Sequence, residues 1–436
     1  MFAGLSSRSS IAAALAAPML VGVLSLGASG GALADEHDRD RHDRDQGAVK
    51  LLFAVPIPSN PGRDCPGTTP PTVPFHGMCT FDISWVDQHT QLYYLADRSN
   101  SAVDVVDART GTFVKQIKGG FTGFTGNNDT SGPNGVVTAG KWLIVTDAPS
   151  RVVAIDLTTD AIVSTVFTGG GAGLRTDELA YDPVDSLILA ANNADSPPFA
   201  TLIHLDTSNG ALSIVKKIVF DAASGVNAQN GAEQPVWDGR TGKFYISIPQ
   251  VGPDEKDGGV ARIDPHAGVV ETVFPVSFCQ PAGLTVGPRG DLLLGCSVAF
   301  DDSGVSCATA TGTDRTTCSA GHFAAPKQVI MDARTGDIDR NVFGVGGSDE
   351  VWFNSGDGRY YTASRANPQG PVLGVIDAKS QKLLQVVPTA PLAYGSPHSV
   401  AANRHNNHVF VPLPANNVVP NCLTGCIGVY GTPDDD

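Results

Sequence analysis

Six polar residues, each standing immediately ahead of a short β-rich run, are the groups in this chain best equipped for chemistry. They are Asp82 (before Ile83-Ser84-Trp85), Asn134 (before Gly135-Val136-Val137), Glu178 (before Leu179-Ala180-Tyr181), Glu233 with Gln234 beside it, Glu350 (before Val351-Trp352-Phe353) and His398. A seventh run of the same kind carries Ala282 at this place, with Gln280 nearby. If the run starts converge, several carboxylates and an amide share one narrow space, and like charges so placed require a cation or protons between them. Hard oxygen donors suit Ca²⁺ or Mg²⁺, and an open coordination position would polarise a carbonyl or activate water. The expected ligands of a divalent metal, Ca²⁺ first, are Asn134, Glu178, Glu233 and Glu350, with Asp82 or His398 taking the proton. His76, Arg98, His322 and Arg365 are expected to rim the same opening and to contact an anionic substrate. The competing account of the polar ring is a water-filled channel lined by polar residues.

The elements that would bring these residues together are legible as a repeat. Aliphatic residues followed by an aspartate and a polar turn recur: Val103-Asp104-Val105-Val106-Asp107, Val152 to Asp156, Leu202 to Asp206, Val260 to Asp264, Val329 to Asp332 and Val375 to Asp377. Ile427-Gly428-Val429-Tyr430 is a degenerate seventh copy. Each phrase follows a β-rich run such as Leu92 to Ala96 or Phe244 to Ile248, and precedes another such as Thr112 to Ile117. Four short strands in units of about 40–50 residues, without any long helical period, describe an all-β propeller of four-stranded antiparallel blades. Six units are complete, and the last, from about residue 396 onward, lacks its fourth strand. Val49 to Pro56 resembles a fourth strand, so the expectation is seven blades closed by the N-terminal strand, which removes an exposed sheet edge.

Strand order also assigns the faces. First-to-second and third-to-fourth connections are tight turns, whereas the inter-blade and second-to-third connections are long: 59–80, 120–133, 221–232, 249–259, 298–326 and 414–426. The eight cysteines fall on that long-loop side, and the expected pairs are Cys65–Cys79, Cys279–Cys296, Cys307–Cys318 and Cys422–Cys426. Stapled loops on a rigid scaffold are where binding or catalysis resides.

The remaining sequence bounds the setting. Arg8, an apolar run from Ile11 to Leu26 and the exit Gly31-Ala32-Leu33-Ala34 read as a signal peptide over 1–34, which with the cysteines implies a periplasmic or extracellular protein. A charged, disordered leader is expected over 35–47, the propeller over 48–431 and an acidic tail over 432–436. No later segment approaches ~18 consecutive apolar residues, so no membrane insertion is expected. The net charge of −15 disfavours nucleic acid as a partner. Beyond the signal peptide no G-x-S-x-G elbow, P-loop or G-x-G-x-x-G is present.

From residue 49 onward the repeats resemble the YVTN-type propellers of bacterial periplasms, a group of many roles. Pro133-Asn134-Gly135, with the strands that follow it, is similar to the P-N-G blade of the gluconolactonase and strictosidine-synthase-like propellers. Ala232-Glu233-Gln234-Pro235-Val236-Trp237 resembles their G-E-G-P-x-W blade, with Gln234 where that pattern has glycine and the two blades in reversed order. The resemblance implies that Asn134 and Glu233 ligate a catalytic divalent metal. The function expected is a metal-dependent hydrolase of a small lactone or ester. The alternatives are a non-catalytic propeller binding a ligand or protein partner across the braced loops, and a metal-dependent lyase using the same site.

Overall fold

The computed structural model describes residues 47–59, 77–300, 325–390 and 397–433. Their strands form seven four-stranded antiparallel sheets. Blade 1 runs Ser84–Asp87, Leu92–Asp97, Ala102–Asp107 and Thr112–Ile117, each strand paired with the next. Blades 2 to 6 repeat this order from Val136 to Pro388. The first strands of successive blades pack against one another round the ring and so line its axis. Blade 7 takes Ala401–Ala402, Val409–Leu413 and Cys426–Gly431 from the end of the chain and Lys50–Pro56 from its beginning. In that closing pair Lys50 lies opposite Gly431 and Pro56 opposite Cys426.

The recurring aspartate has a local job. At the end of the third strand, each carboxylate accepts backbone N–H groups from the turn that follows: Asp107 from Arg109 and Thr110, Asp332 from Arg334 and Thr335, and Asp264 from His266 and Ala267. Asp156, Asp206 and Asp377 hold the same kind of turn. An aspartate so placed fixes the reversal by bonding its own backbone neighbours. The seventh copy ends in Tyr430-Gly431 because its fourth strand arrives from the other end of the chain and there is no turn to hold. Just before each aspartate the outer strand pair carries a bulge, at Val105/Val106, Ala154/Ile155, Leu202/Ile203, Arg262/Ile263, Ile330/Met331 and Val375/Ile376. Bulges sharpen strand twist, which each blade needs to fit between its neighbours.

Blades adhere through apolar faces. Leu189, Ala191 and Leu202 of blade 3 meet Phe244, Ile246 and Ile248 of blade 4, and Phe81, Tyr93 and Val106 of blade 1 meet Phe410, Ile427 and Val429 of blade 7. A large aliphatic or aromatic side chain buried in this way contributes roughly 1.5–3 kcal/mol. Ring closure therefore rests on the Tyr93–Phe410 stack (centroids 5.2 Å apart) as well as on the N-terminal strand. Two disulfides are described, Cys279–Cys296 within the first hairpin of blade 5 and Cys422–Cys426 at the entry to the last strand. Cys79 is also disulfide-bonded. Cys65, Cys307, Cys318 and residues 1–46, where a signal peptide and most of a charged leader are expected, lie outside the described residues. No described helix is long and apolar enough to cross a membrane.

Candidate functional site

The long-loop face opens into a cavity of about 230 Å³ at the mouth of the axis. Asp82, Arg98, Glu178, Glu233, Arg365 and His398, all singled out in the sequence, line it. They arrive from inter-blade connections and from second-to-third-strand loops, which is why residues so distant in sequence meet. His76 and His322 lie outside the described residues.

Two arginines organise the cavity. Arg98, 2% exposed, donates from Nη2 to Asp82 Oδ2, and from Nε and Nη2 to Asn134 Oδ1 at 3.0 and 2.8 Å. Arg175 Nη2 lies 2.7 Å from Asp177 Oδ2, and its Nη1 lies 3.7 Å from Asp82 Oδ2. Burial alone would lift the Asp82 carboxyl, but Arg98, the hydrogen bond from His398 and Arg175 together hold it well below the usual carboxylate range. Arg175 is likewise held charged against its burial, by Asp177 first and then Asp82 and Glu233. The cation demanded by this part of the ring is thus supplied by the chain itself.

This changes the roles read from sequence. Arg98 is a buried clamp rather than a rim group awaiting an anion. Asn134, expected as a metal ligand, has its amide oxygen filled by Arg98 while its Nδ2 donates to Thr176 O at 2.8 Å. Its donor set does not fit a metal. The glycine that follows has a packing reason: a Cβ on Gly135 would come within 2.4 Å of Leu179 Cδ2 and 2.8 Å of Asp177 O. Glu233 Oε1 accepts from Asn193 Nδ2 at 3.2 Å. Gln234, at φ 22°, sits where the sequence pattern has glycine, in the left-handed region glycine favours. Its side chain accepts from Leu284 N at 2.6 Å and donates to Val351 O at 3.3 Å, so it ties blade 4 to blades 5 and 6.

Among the described residues Glu178 Oε2 and Glu350 Oε1 are buried without a hydrogen-bond partner, while Glu350 Oε2 accepts from Ser399 Oγ at 2.9 Å. Burial, and then the nearby Glu350 and Glu233 carboxylates, push the Glu178 carboxyl well above its ordinary value. Burial does the same for Glu350. Among the described residues no group of three or more His, Cys, Asp or Glu side chains is spaced to hold a metal.

His398 occupies the other wall. Its Nε2 lies 3.2 Å from Asp82 Oδ1, its ring stacks on Phe81 (centroids 5.2 Å apart, 11° between planes), and its side chain is 12% exposed. An imidazole oriented by a carboxylate and opening onto a cavity is equipped to move a proton. Arg365, paired with Asp349 at 3.1 Å and with its side chain 39% exposed, is the guanidinium that faces solvent at the mouth. Arg175, Asp177, Asp349 and Phe81 were not found from sequence. Each sits in a loop one to four residues ahead of a run start, and aligning the starts selects only one residue per blade.

No protein-family model and no curated protein sequence matches the chain. Among solved structures it is similar to a chain of the Kuenenia stuttgartiensis hydrazine synthase, at 12% identity and a TM-score of 0.60, over 82% of this chain and 96% of that one. At that identity the likeness is one of fold, and the fold is the seven-bladed propeller.

Proposed function

We propose that the channel-mouth cavity is an acid–base catalytic site acting on a small ester or lactone in a periplasmic or extracellular setting. The observation that carries this is the His398–Asp82 pair on the cavity wall, 3.2 Å apart. His398 removes a proton from water, Asp82 holds the imidazole and balances the imidazolium that forms, and the water oxygen adds to the carbonyl. Arg365, the exposed guanidinium, meets the charge that develops on the carbonyl oxygen. When the tetrahedral intermediate collapses, His398 returns its proton to the leaving alkoxide. The short resemblance of the Asn134 and Glu233 blades to lactonase propellers points to the same substrate class. A screen of small esters and lactones with the purified mature chain tests the proposal, and turnover that is unaffected by loss of His398 ends it.

A second reading keeps a divalent ion, Ca²⁺ first, and is favoured by the unpartnered buried oxygens of Glu178 and Glu350. These two carboxylates would hold the ion, and it would supply Lewis acidity beneath the cavity. The pH dependence of stability separates the cases. Without a metal the raised carboxyls take up protons in the folded chain before the unfolded one, so their stabilisation is complete below the unfolded values and is lost as pH rises through the folded ones. In chelator, Tm is therefore expected to rise as pH falls from the folded carboxyls' raised values toward their unfolded ones. Excess Ca²⁺ would reverse that slope if the ion binds, because protonation would expel it, and elemental analysis would then find about one equivalent. A slope unaltered by Ca²⁺ retires the metal. A non-catalytic propeller that captures a protein partner predicts neither turnover nor a metal.

A further inference from the structure

Among the described residues, the outer strand of every blade has a neighbour on one side only, and such an edge is a template for pairing with another strand. Each of these strands is bulged near its start, in blade 7 at Leu51/Phe53, and a bulge twists the edge away from a partner. Past the bulge, six of the seven edges are guarded a second time. Lys115 stands there in blade 1, Lys216 and Lys217 in blade 3, and Arg340 in blade 5. Blades 4, 6 and 7 place Pro275, Pro388 and Pro56 there, residues with no N–H to offer a partner. Blade 2 is the exception. Its outer strand, Ala161–Phe167, continues past the bulge as Ser164-Thr165-Val166-Phe167, without a charge or a proline.

The surroundings of this edge are apolar. Ile162, Val163 and Phe167 are exposed on it, Phe167 by 59%, and Ile214 and Val215 are exposed on the outer strand of blade 3. The two strands are neighbours, since Leu212 N donates to Ser164 Oγ at 2.9 Å. Lys217 Nζ donates to Gly169 O at 3.2 Å, just past the end of the blade 2 strand. Asp160, paired with Lys115 at 2.6 Å, precedes its start.

The edge is complementary to itself. Antiparallel pairing about a two-fold axis between Thr165 and Val166 sets Thr165 opposite Val166 and Ser164 opposite Phe167, and carries Lys217 of one copy toward Asp160 of the other. The paired residues bring no charge of their own to the contact, which matters in a chain of net charge −15. An isologous contact also needs only this one patch, present on every copy.

We infer that Ala161–Phe167 is a self-association edge, through which two copies of this chain join their blade 2 sheets into one continuous sheet. Its short unguarded run and few apolar neighbours fall well short of the roughly 20–30 residues a side of a stable interface. The pair is therefore a weak one, with a dissociation constant on the order of 100 μM. The strand is the outermost of its blade, so pairing leaves the channel mouth of each copy open.

The test is sedimentation equilibrium of the mature chain from about 5 μM to about 1 mM, a range that brackets the expected constant, with hydrogen exchange read by mass spectrometry at both ends. Dimer is expected to grow with concentration, and exchange in a peptide spanning residues 161–168 is expected to slow as it does. Thr165 is exposed, and Thr165→Lys gives this edge the residue type that guards blades 1 and 3. The variant is expected to melt with the parent and to dimerise at least about tenfold more weakly. Asn341→Lys, at an exposed position of the blade 5 outer strand, adds the same charge elsewhere and is expected to dimerise as the parent does. The inference is overturned if the chain stays monomeric throughout, if association runs on past a dimer, or if Thr165→Lys associates as well as the parent. It is overturned equally if Asn341→Lys weakens association as much as Thr165→Lys. Equal protection of residues 161–168 at both concentrations would also end it, since a segment of the same chain would then already cover the edge.

Discussion

Replacing His398 with alanine is expected to lower turnover of a small ester or lactone by about 10²–10⁴-fold, the usual contribution of a positioned general base. The loss should fall on kcat more than on KM, because the imidazole works on the attacking water and the binding surface is built by other side chains. His398→Gln keeps a polar side chain of similar reach and should not restore the rate, since an amide cannot accept a proton at neutral pH. Added imidazole should recover part of it if the cavity left behind admits the free base. Asp82→Asn is expected to impair both rate and fold, because Asp82 holds His398 and also answers Arg98. Full activity in His398→Ala would remove the proton carrier from the mechanism and move attention to Glu178, the raised carboxyl on the same cavity.

Arg98→Ala is expected to be the most destabilising single change at the site, by roughly 3–5 kcal/mol, the range for removing one member of a buried charge pair. The guanidinium is 2% exposed and joins the first strands of blades 1 and 2 through Asp82 and Asn134. Without it the Asp82 carboxylate and the Asn134 amide oxygen lose their donors in a place water scarcely reaches. For a domain of this length the corresponding fall in Tm is roughly 4–6 °C. Arg98→Lys should recover only part of the loss, since one ammonium cannot reproduce the fork that serves both acceptors. A melt of Arg98→Ala that coincides with that of the parent chain would show that the clamp contributes nothing to the fold.

The order of the strands and the closure of the ring were legible because both are local or repetitive. Aliphatic runs ending in aspartate mark third strands and their turns, and a final unit short of one strand has an obvious donor at the other end of the chain. The convergence of Asp82, Glu178, Glu233 and His398 on one cavity followed from equivalent positions in a ring. Their partners were not legible. Whether Asn134 faces a metal or an arginine depends on where the Arg98 side chain turns, and Arg98 lies 36 residues away in another blade. Gln234 looked like one more polar channel residue, but its backbone bulge aims it at Leu284 and Val351. Arg175 belongs to no repeated phrase, yet it lines the cavity and pairs with Asp177 at 2.7 Å.

By itself the sequence determined the secondary structure, the blade number and the face on which the long loops and the polar run starts gather, since periodicity, turn residues and loop length are properties of neighbouring residues. The tertiary structure alone decided which charges are neutralised by which, because burial and a few ångströms of separation set the sign and strength of each interaction. It paired Asp82, Asp177 and Asp349 with arginines, left Glu178 and Glu350 without one among the described residues, and set His398 Nε2 3.2 Å from Asp82 Oδ1 on the cavity wall.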